Sequence, residues 1–169
     1  MIDKNNAVLI TGANGGIGSA LCDEFSKAGY FIIASDTGKD GTEYDEYVQA
    51  DLNALVQDVV YRNTTLQNIA TALVGKQLSA IINNAAVQIL GNTEELNITD
   101  FQTSMNVNVT APLILIKTFL PELTVAGGAV VNIGSIHTRL TKPGFVSYAC
   151  SKSALDGLSQ SLAIDLGDK

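Results

Sequence analysis

The sequence has few basic residues, few cysteines and no long hydrophobic run. Ten lysines and arginines stand against seventeen aspartates and glutamates in 169 residues, and the basic residues are scattered. A chain of net charge −7 without a basic cluster cannot neutralise many phosphates, which argues against nucleic acid as a partner. Cys22 and Cys150 have no metal-ligand spacing, so we expect reduced thiols, a cytoplasmic location and no metal site.

A membrane-spanning segment is also missing from the sequence. A span requires about 20 consecutive apolar residues. The longest candidate, residues 113–120, is much shorter and contains Lys117. We therefore expect no membrane association.

Short apolar runs alternate with helical patterns along the chain. Hydrophobic residues make up 46% of the sequence and charged residues 16%, a composition that excludes disorder as its main state. The apolar runs predict five strands, at residues 7–10, 30–36, 47–51, 78–83 and 129–133. The remaining patterns predict helices, at residues 18–28, 52–73, 99–123 and 148–166.

Local signals refine two of these helices. Asn63–Thr65 interrupts the second one, and the capping-box pattern of Thr99 and Gln102 predicts Thr99 as the N-cap of the third. Strands that alternate with helices predict right-handed βαβ crossovers and a parallel sheet with helices on both faces. Because the sequence contains no repeat and no linker, we expect residues 1–169 to form a single α/β domain.

A glycine-rich turn joins the first predicted strand to the first predicted helix. Glycine permits a tight turn and close approach of a ligand to backbone N–H groups, and the positive end of the helix favours a pyrophosphate. The spacing is neither G-x-G-x-x-G nor a P-loop, and an ordinary strand-to-helix turn is the alternative. Its place after the first strand favours nucleotide binding. The candidate contacts are Gly12, Asn14, Gly15, Gly16, Ile17 and Gly18.

An aspartate ends the second predicted strand. Asp36 follows Gly18 by 18 residues. This is near the separation of about 20 expected for a carboxylate that accepts a hydrogen bond from a ribose 2′-hydroxyl. Because the carboxylate repels a 2′-phosphate, the pattern favours NAD over NADP. A solvated loop aspartate is the alternative.

A tyrosine and a lysine stand four residues apart in the last predicted helix. Tyr148 and Lys152 therefore share a helix face, with Cβ atoms about 5–6 Å apart. A phenol has an unperturbed pKa of about 10, and a nearby ammonium favours the phenolate and lowers that pKa. The pair can act as a general acid and base, although many helices carry a solvated tyrosine and lysine at this spacing.

Two further residues are candidates for the same site. Ser135 follows the fifth predicted strand, so its hydroxyl either donates to a substrate oxygen or belongs to a simple turn. Asn108 stands four residues before Pro112, and a proline disturbs the carbonyl four residues earlier. The freed carbonyl predicts a water site at Asn108, unless the kink has no function.

In this order the motifs resemble those of the short-chain dehydrogenase/reductase family, over essentially the whole chain. Thr11, Gly12, Gly16 and Gly18 are similar to its T-G-x-x-x-G-x-G cofactor turn. Asp51 and Leu52 are similar to the acidic–apolar pair that contacts adenine in the family. Asn84, Ala85 and Ala86 belong to a motif similar to the family's N-N-A-G, with Ala86 in place of the glycine. The resemblance implies that these five residues also contact the cofactor. The resemblance extends to the catalytic tetrad, with serine and tyrosine 13 residues apart: Asn108, Ser135, Tyr148 and Lys152.

The resemblance implies a fold, a reaction and a role for each residue of the tetrad. The fold is Rossmann-like with strand order 3-2-1-4-5, and the reaction interconverts a small-molecule alcohol and a carbonyl by hydride transfer with NAD. Tyr148 is the implied acid–base residue. Lys152 binds the nicotinamide ribose, Ser135 polarises the substrate carbonyl and Asn108 keeps a water of the proton relay. Tyr148 and Lys152 thus also contact the cofactor.

Members of the family normally continue past the Tyr-Lys helix with a sixth and a seventh strand, whereas this sequence stops at Lys169. The fifth strand is then expected to be a sheet edge. An apolar edge and the two helices of the family's usual dimer predict a homo-oligomer.

Three functions remain open from the sequence. The first is the active NAD-dependent oxidoreductase, and the second is a truncated, catalytically weak dinucleotide-binding domain. The third, a flavodoxin-like phosphate binder, leaves the Ser-Tyr-Lys spacing unexplained. His137 and Arg139 either line a polar substrate site or belong to a solvated loop, and Cys150 is expected to be a packed small residue.

Overall fold

A computed structural model describes residues 4–38 and 44–167, so the predicted domain limits at residues 1 and 169 lie outside the described residues. Five parallel strands form one sheet of order β3-β2-β1-β4-β5, which confirms the predicted order. The strands are β1 (Asn6–Thr11), β2 (Phe31–Asp36), β3 (Glu46–Gln49), β4 (Gln77–Asn83) and β5 (Ala129–Asn132).

The strands are connected by α-helices and two shorter helical segments. A π-helical segment, Asn106–Thr110, joins the fourth helix to the fifth, and a 3₁₀ turn, Ile136–Thr138, follows β5. The α-helices are α1 (Gly16–Lys27), α2 (Leu52–Gln57), α3 (Val59–Ala72), α4 (Ile98–Met105), α5 (Ala111–Thr118), α6 (Leu120–Ala126) and α7 (Val146–Leu166).

Helices cover both faces of the sheet. Val8 of β1 packs in one cluster with Cys22 of α1, whereas its neighbour Leu9 packs with Ile69 of α3 and Leu115 of α5. Successive side chains of a strand point to opposite faces. The two clusters are therefore the two layers predicted for a buried parallel sheet.

β5 forms an edge of the sheet. It pairs with β4 on one side, its residues alternate between exposed and partly buried, and Val131 is 43% exposed. Beside it, apolar side chains that include Ile116, Leu120 and Leu162 line a cavity of about 570 Å³. The expected apolar edge strand is thus present.

The predicted helix over residues 52–73 is divided at a different place. The break lies at Asp58 and not at Asn63–Thr65. The Asp58 Oδ1 atom accepts hydrogen bonds from the N–H groups of Val60 at 2.8 Å and Tyr61 at 3.1 Å. An aspartate that satisfies the free N–H groups of a new helix starts α3 there.

The predicted N-cap of α4 is wrong by two residues. Asn97, and not Thr99, precedes the helix, and its Oδ1 accepts a hydrogen bond from the Thr99 N–H at 2.8 Å. Asparagine is as good an N-cap as serine or threonine. The helix therefore begins after Asn97, and Thr99 lies inside its first turn.

The predicted continuous helix over residues 99–123 is also wrong, because it is broken twice. Pro112 and Pro121 stand in the first turns of α5 and α6, where their missing N–H groups interrupt the helical hydrogen bonds. In the π-helical segment the Ala111 N–H donates to the carbonyl of Asn106, five residues earlier. The free carbonyl expected at Asn108 stays a prediction.

None of the helices in residues 4–38 and 44–167 is by itself long and apolar enough to cross a membrane. Ile98–Thr118 and Leu120–Ala126 meet that length and composition only as a pair bent by 61°. Leu115 of the first helix and Phe119, which lies between the two, are buried in the hydrophobic core.

Candidate active site

A cavity of about 640 Å³ lies at the carboxyl ends of β1, β2 and β4. Asn14 and Gly18 belong to the loop beside it without lining it. The cavity is also lined by five residues that belong to none of the motifs and were not predicted: Thr37, Asn53, Val87, Thr103 and Val107. The predicted cofactor residues that line it are Gly12, Gly15, Gly16, Ile17, Asp36, Asp51, Leu52, Asn84, Ala85 and Ala86.

The glycines of the loop after β1 have different structural roles. Gly12 has a φ of 64°, which favours glycine. A Cβ atom on Gly18 would lie 2.0 Å from the carbonyl oxygen of Gly12, so this position has no room for a side chain. A Cβ on Gly16 would meet nothing within 4 Å. The space above Gly16, the first residue of α1, is therefore open to a ligand.

Asp36 connects this loop to the end of β2. Its Oδ2 atom accepts a hydrogen bond from the Asn14 N–H at 3.0 Å, and its Oδ1 atom accepts one from the Thr37 N–H at 2.7 Å. The carboxylate thus fixes the backbone of the glycine-rich loop while it lines the cavity. A carboxylate oxygen has more than one acceptor site, so Asp36 can also accept from a ligand hydroxyl.

Thr11 and Asn84 join the ends of β1 and β4. The Thr11 Oγ1 atom accepts hydrogen bonds from the N–H groups of Asn84 and Ala85, each at 3.1 Å. The Asn84 amide donates in return to the carbonyls of Thr11 and Gly12, each at 3.0 Å. The side chain of Asn84 therefore holds the two strand ends together at the floor of the cavity.

Asp51 and Leu52 form the wall opposite the loop, at the start of α2. The Asp51 Oδ1 atom accepts hydrogen bonds from the N–H groups of Asn53 at 2.8 Å and Ala54 at 3.2 Å, which makes Asp51 the N-cap. Leu52 is 93% buried, since its exposed fraction is 7%. The acidic–apolar pair is thus fixed in place by helix capping and by burial.

Asn108 is buried in the π-helical segment, where its side chain makes three hydrogen bonds. Its Oδ1 accepts from the Val87 N–H at 2.8 Å, and its Nδ2 donates to the Val87 carbonyl at 2.9 Å and to the Ser151 Oγ at 2.9 Å. Ser151 Oγ donates in turn to the carbonyl of Tyr148 at 2.8 Å. The asparagine therefore connects the loop after β4 to the start of α7.

Lys152 is the buried cation of the site. Its exposed fraction is 2%, and burial lowers the pKa of its ammonium below the ordinary value. The Nζ atom donates to the carbonyl of Ile133 at 2.6 Å and lies 5.9 Å from the centroid of the Tyr148 ring. An ammonium has three N–H donors, so two remain for a ligand.

Ser135 and Tyr148 both contact His137, Ser135 through the backbone N–H of His137 and Tyr148 through the imidazole ring. The Ser135 Oγ accepts a hydrogen bond from the His137 N–H at 3.2 Å. The His137 ring stands nearly perpendicular to the Tyr148 ring, with centroids 5.8 Å apart. Contacts of side chains with each other and with main-chain groups therefore join the four residues of the predicted tetrad into one connected group.

Two further residues belong to this group: Ser151, which was not predicted, and His137, for which the sequence left two roles open. Ser151 bonds to Asn108 and to the backbone of Tyr148, and its place between Tyr148 and Lys152 on a buried helix turn is the signal that points to it. His137 contacts Tyr148, which favours the substrate-site interpretation of this residue over a solvated loop.

Comparisons with known proteins show the family of the chain. The sequence profile described as short chain dehydrogenase matches residues 6–169. An uncharacterized oxidoreductase of Thermotoga maritima is 32% identical over 98% of this chain and 67% of its own length. The chain spans 61–67% of the length of three curated relatives that match at 32–34% identity.

Solved structures resemble the chain over nearly its full length. A Brucella ovis oxidoreductase of the short chain dehydrogenase/reductase family, in complex with a partially ordered NAD, superposes with a TM-score of 0.87 at 27% identity, over 97% of this chain and 78% of that one. 4-Hydroxyisoleucine dehydrogenase complexed with NADH gives a TM-score of 0.83 at 27% identity, over 96% and 70% of the two chains. Motifs, fold and relatives lead to the same conclusion: the chain belongs to the short-chain dehydrogenase/reductase family.

Proposed function

We propose that this chain forms the cofactor and acid–base site of an NAD-dependent oxidoreductase that interconverts a small-molecule alcohol and a carbonyl compound. The observation that carries the proposal is the connected group that includes Asn108, Ser135, Tyr148 and Lys152. These residues come from the π-helical segment, the end of β5 and α7. An accidental tyrosine–lysine pair on a solvated helix face would not have such partners.

The residues around the cavity fit a dinucleotide. The space above Gly16 gives a pyrophosphate access to the N-terminus of α1. Asp36 and the pair of Asp51 and Leu52 are placed to contact the adenosine half. A bound nicotinamide dinucleotide supplies or accepts the hydride.

The side chains of this chain then handle the substrate oxygen and its proton. The Tyr148 hydroxyl gives the proton to the oxygen or takes it away. The ammonium of Lys152 stabilises the negative phenolate, and its two remaining donors bind the nicotinamide ribose. The hydroxyl of Ser135 orients the substrate oxygen, and Asn108 holds the start of α7 in position and keeps the relay water.

Replacement of the acid–base residue tests the proposal directly. In Tyr148→Phe we expect turnover to fall by a factor of about 10² to 10⁴, since proton transfer is lost, while NAD affinity measured by calorimetry is unchanged. Tyr30→Phe is the matched control, because Tyr30 packs edge-on against Phe25 near the end of α1, outside the connected group. Unchanged turnover in Tyr148→Phe would refute the assignment.

We propose NAD rather than NADP as the cofactor, and the charge of Asp36 supports this choice. Its carboxylate lines the cavity and is held in place by Asn14 and Thr37. A 2′-phosphate brought to this position meets a like charge. Calorimetric titration of the same sample with NAD and with NADP should show tighter binding of NAD, and equal affinities would contradict the preference.

The binding-only function remains the second candidate, and the open side of β5 favours it. Val131 is 43% exposed, and within the described residues no further strand covers β5, which precedes Ser135, so this side of the sheet is exposed to water. Water weakens the electrostatic preorganisation that catalysis requires. Equal affinities for NAD and for ADP-ribose would support this candidate, whereas tighter binding of NAD would favour the enzyme.

We also propose that the chain self-associates. Exposed apolar side chains beside an unpaired strand favour pairing with another chain. Light scattering coupled to size exclusion should give a mass above that of the 17.8 kDa monomer. A stable monomer would remove the proposal.

A further inference from the structure

The segment between Ser135 and Tyr148 places an imidazole beside the proposed acid–base residue. The His137 ring stacks on Phe145 with centroids 4.3 Å apart and an interplanar angle of 11°. Its Nδ1 atom lies 3.3 Å from the Thr141 Oγ1. Nε2, which has no partner in the part of the chain that the structure describes, is therefore the ring nitrogen open to a ligand. Stacking and hydrogen bonding hold this ring in one orientation next to Tyr148.

The surface around His137 is positive although the chain is acidic. The whole sequence has a net charge of −7, yet residues 123–155 contain no aspartate and no glutamate. Arg139 and Lys142 lie in this stretch, and both are exposed. The Lys142 Nζ atom is 4.6 Å from the centroid of the Phe145 ring, so one aromatic side chain contacts both Lys142 and His137. We call His137, Arg139 and Lys142 the cationic rim.

The charges of the cationic rim are not neutralised by a neighbouring segment. The loop after β4 meets this segment where the Gly91 N–H donates to the Gly144 carbonyl at 2.9 Å, and it carries Glu94 and Glu95. In residues 4–38 and 44–167 neither glutamate forms an ion pair, and the same holds for the cations of the rim. His137 contacts the proposed acid–base tyrosine, Lys142 contacts the aromatic ring on which His137 stacks, and the exposed Arg139 follows His137 by two residues.

We propose that the cationic rim binds a carboxylate group of the substrate, so that the substrate is a hydroxy acid and the product the corresponding oxo acid. The proposal rests on the proposed function and names the substrate class of the same site. Guanidinium, ammonium and imidazole N–H groups form strong, charge-assisted hydrogen bonds to carboxylates. Binding of the carboxylate at the rim positions the hydroxyl-bearing carbon near Tyr148 and selects against uncharged alcohols.

The single histidine of the chain permits a direct binding test. The imidazole signals in an NMR spectrum belong to His137 alone. We would titrate the NAD-loaded chain with 2-, 3- and 4-hydroxybutyrate and with the methyl ester of each acid. At least one acid should shift the His137 signals and bind about tenfold more tightly than its ester, which corresponds to one charge-assisted contact. Equal binding of every acid and its ester would overturn the proposal.

Variants of the cationic rim distinguish a loss of carboxylate binding from a loss of folding stability. In the double variant Arg139→Gln/Lys142→Gln the preference for the acid over its ester should fall about tenfold, while affinity for the ester is unchanged. Lys117→Gln is the matched control, because it removes an exposed positive charge on α5, outside the rim. His137→Phe keeps an aromatic ring to stack on Phe145, so calorimetry should show weaker acid binding with an unchanged melting temperature. An unchanged preference in the double variant would overturn the proposal.

The two proposals can fail separately. Turnover of the esters and the acids at equal rates would support the oxidoreductase and refute the carboxylate site. Tight acid binding at His137 without turnover of any alcohol would support the rim and refute the proposed activity.

Discussion

The half of the sheet around β1 and the half around β5 are built in different ways. The inner residues of β1, Ala7–Ile10, are completely inaccessible, and the loop that follows is held by main-chain and side-chain hydrogen bonds to β2 and β4. β5 has alternately exposed residues, and the site beside it depends on contacts between distant segments. The first half is therefore fully buried and leaves no room for a side chain at Gly18, whereas the second depends on side-chain contacts beside an exposed edge strand.

The largest expected effect tests the steric requirement in the β1 half. In Gly18→Ala the new methyl group would lie 2.0 Å from the Gly12 carbonyl oxygen. We expect a loss of about 3 kcal/mol in the free energy of unfolding, or roughly 10 °C in the melting temperature, together with loss of NAD binding. Circular dichroism and calorimetry measure the two quantities.

Gly16→Ala is the control for this substitution. Its methyl group would have no neighbour within 4 Å, and alanine is the better helix former. The melting temperature should therefore stay the same or rise slightly. Equal losses in both variants would show that the loop needs glycine for flexibility rather than for space.

The contrast between the halves also explains what the sequence could predict. Alternating apolar runs and a glycine-rich turn act within a few residues, so the strands and the loop after β1 followed from local patterns, whereas the strand order was implied by the family resemblance. Asn108 bonds to residues 21 and 43 positions away, Val87 and Ser151. No local pattern contains such partners. The break at Asp58 was misplaced because several polar residues compete as helix caps. The break at Phe119 was not predicted, although the proline in the first turn of α6 marks it.

A second prediction concerns the contacts that hold the β5 half together. Asn108→Ala removes the hydrogen-bond partner of the part-buried N–H and C=O of Val87, together with the bond that the Ser151 hydroxyl accepts. We expect a loss of about 2–3 kcal/mol in the free energy of unfolding. Ser151→Ala removes two bonds of the same group but keeps the Val87 contacts, so its loss should be about 1 kcal/mol.

Urea unfolding measures both values, and Ser153→Ala is the control on the exposed side of α7. A loss in Asn108→Ala no larger than in Ser153→Ala would mean that the π-helical segment does not depend on the Asn108 side chain. The β5 half would then depend on side-chain contacts between distant segments no more than the β1 half does.

The smallest expected effect concerns the reactivity of the two cysteine thiols, one in each half. Cys22 of α1 is fully buried, and burial together with Asp23 raises the pKa of its thiol to about 11. Cys150 is exposed on α7 between Tyr148 and Lys152, so the expectation that it is a packed small residue is wrong. The thiolate is the reactive form. At pH 8 iodoacetamide should therefore modify Cys150 in the folded chain, with Cys22 at least about 100-fold slower.

The same raised pKa makes the β1 half weakly sensitive to high pH. The folded chain keeps the Cys22 proton above pH 9, whereas the unfolded chain releases it near its ordinary pKa of 9.0. The stabilising contribution is complete below pH 9 and declines as the pH rises toward 11. Cys22→Ala should remove this decline and Cys150→Ala should leave it, as urea unfolding between pH 8 and 11 would measure. Rapid labelling of Cys22 in the folded chain would instead show that the β1 half opens as readily as the β5 half, and the contrast between them would not hold.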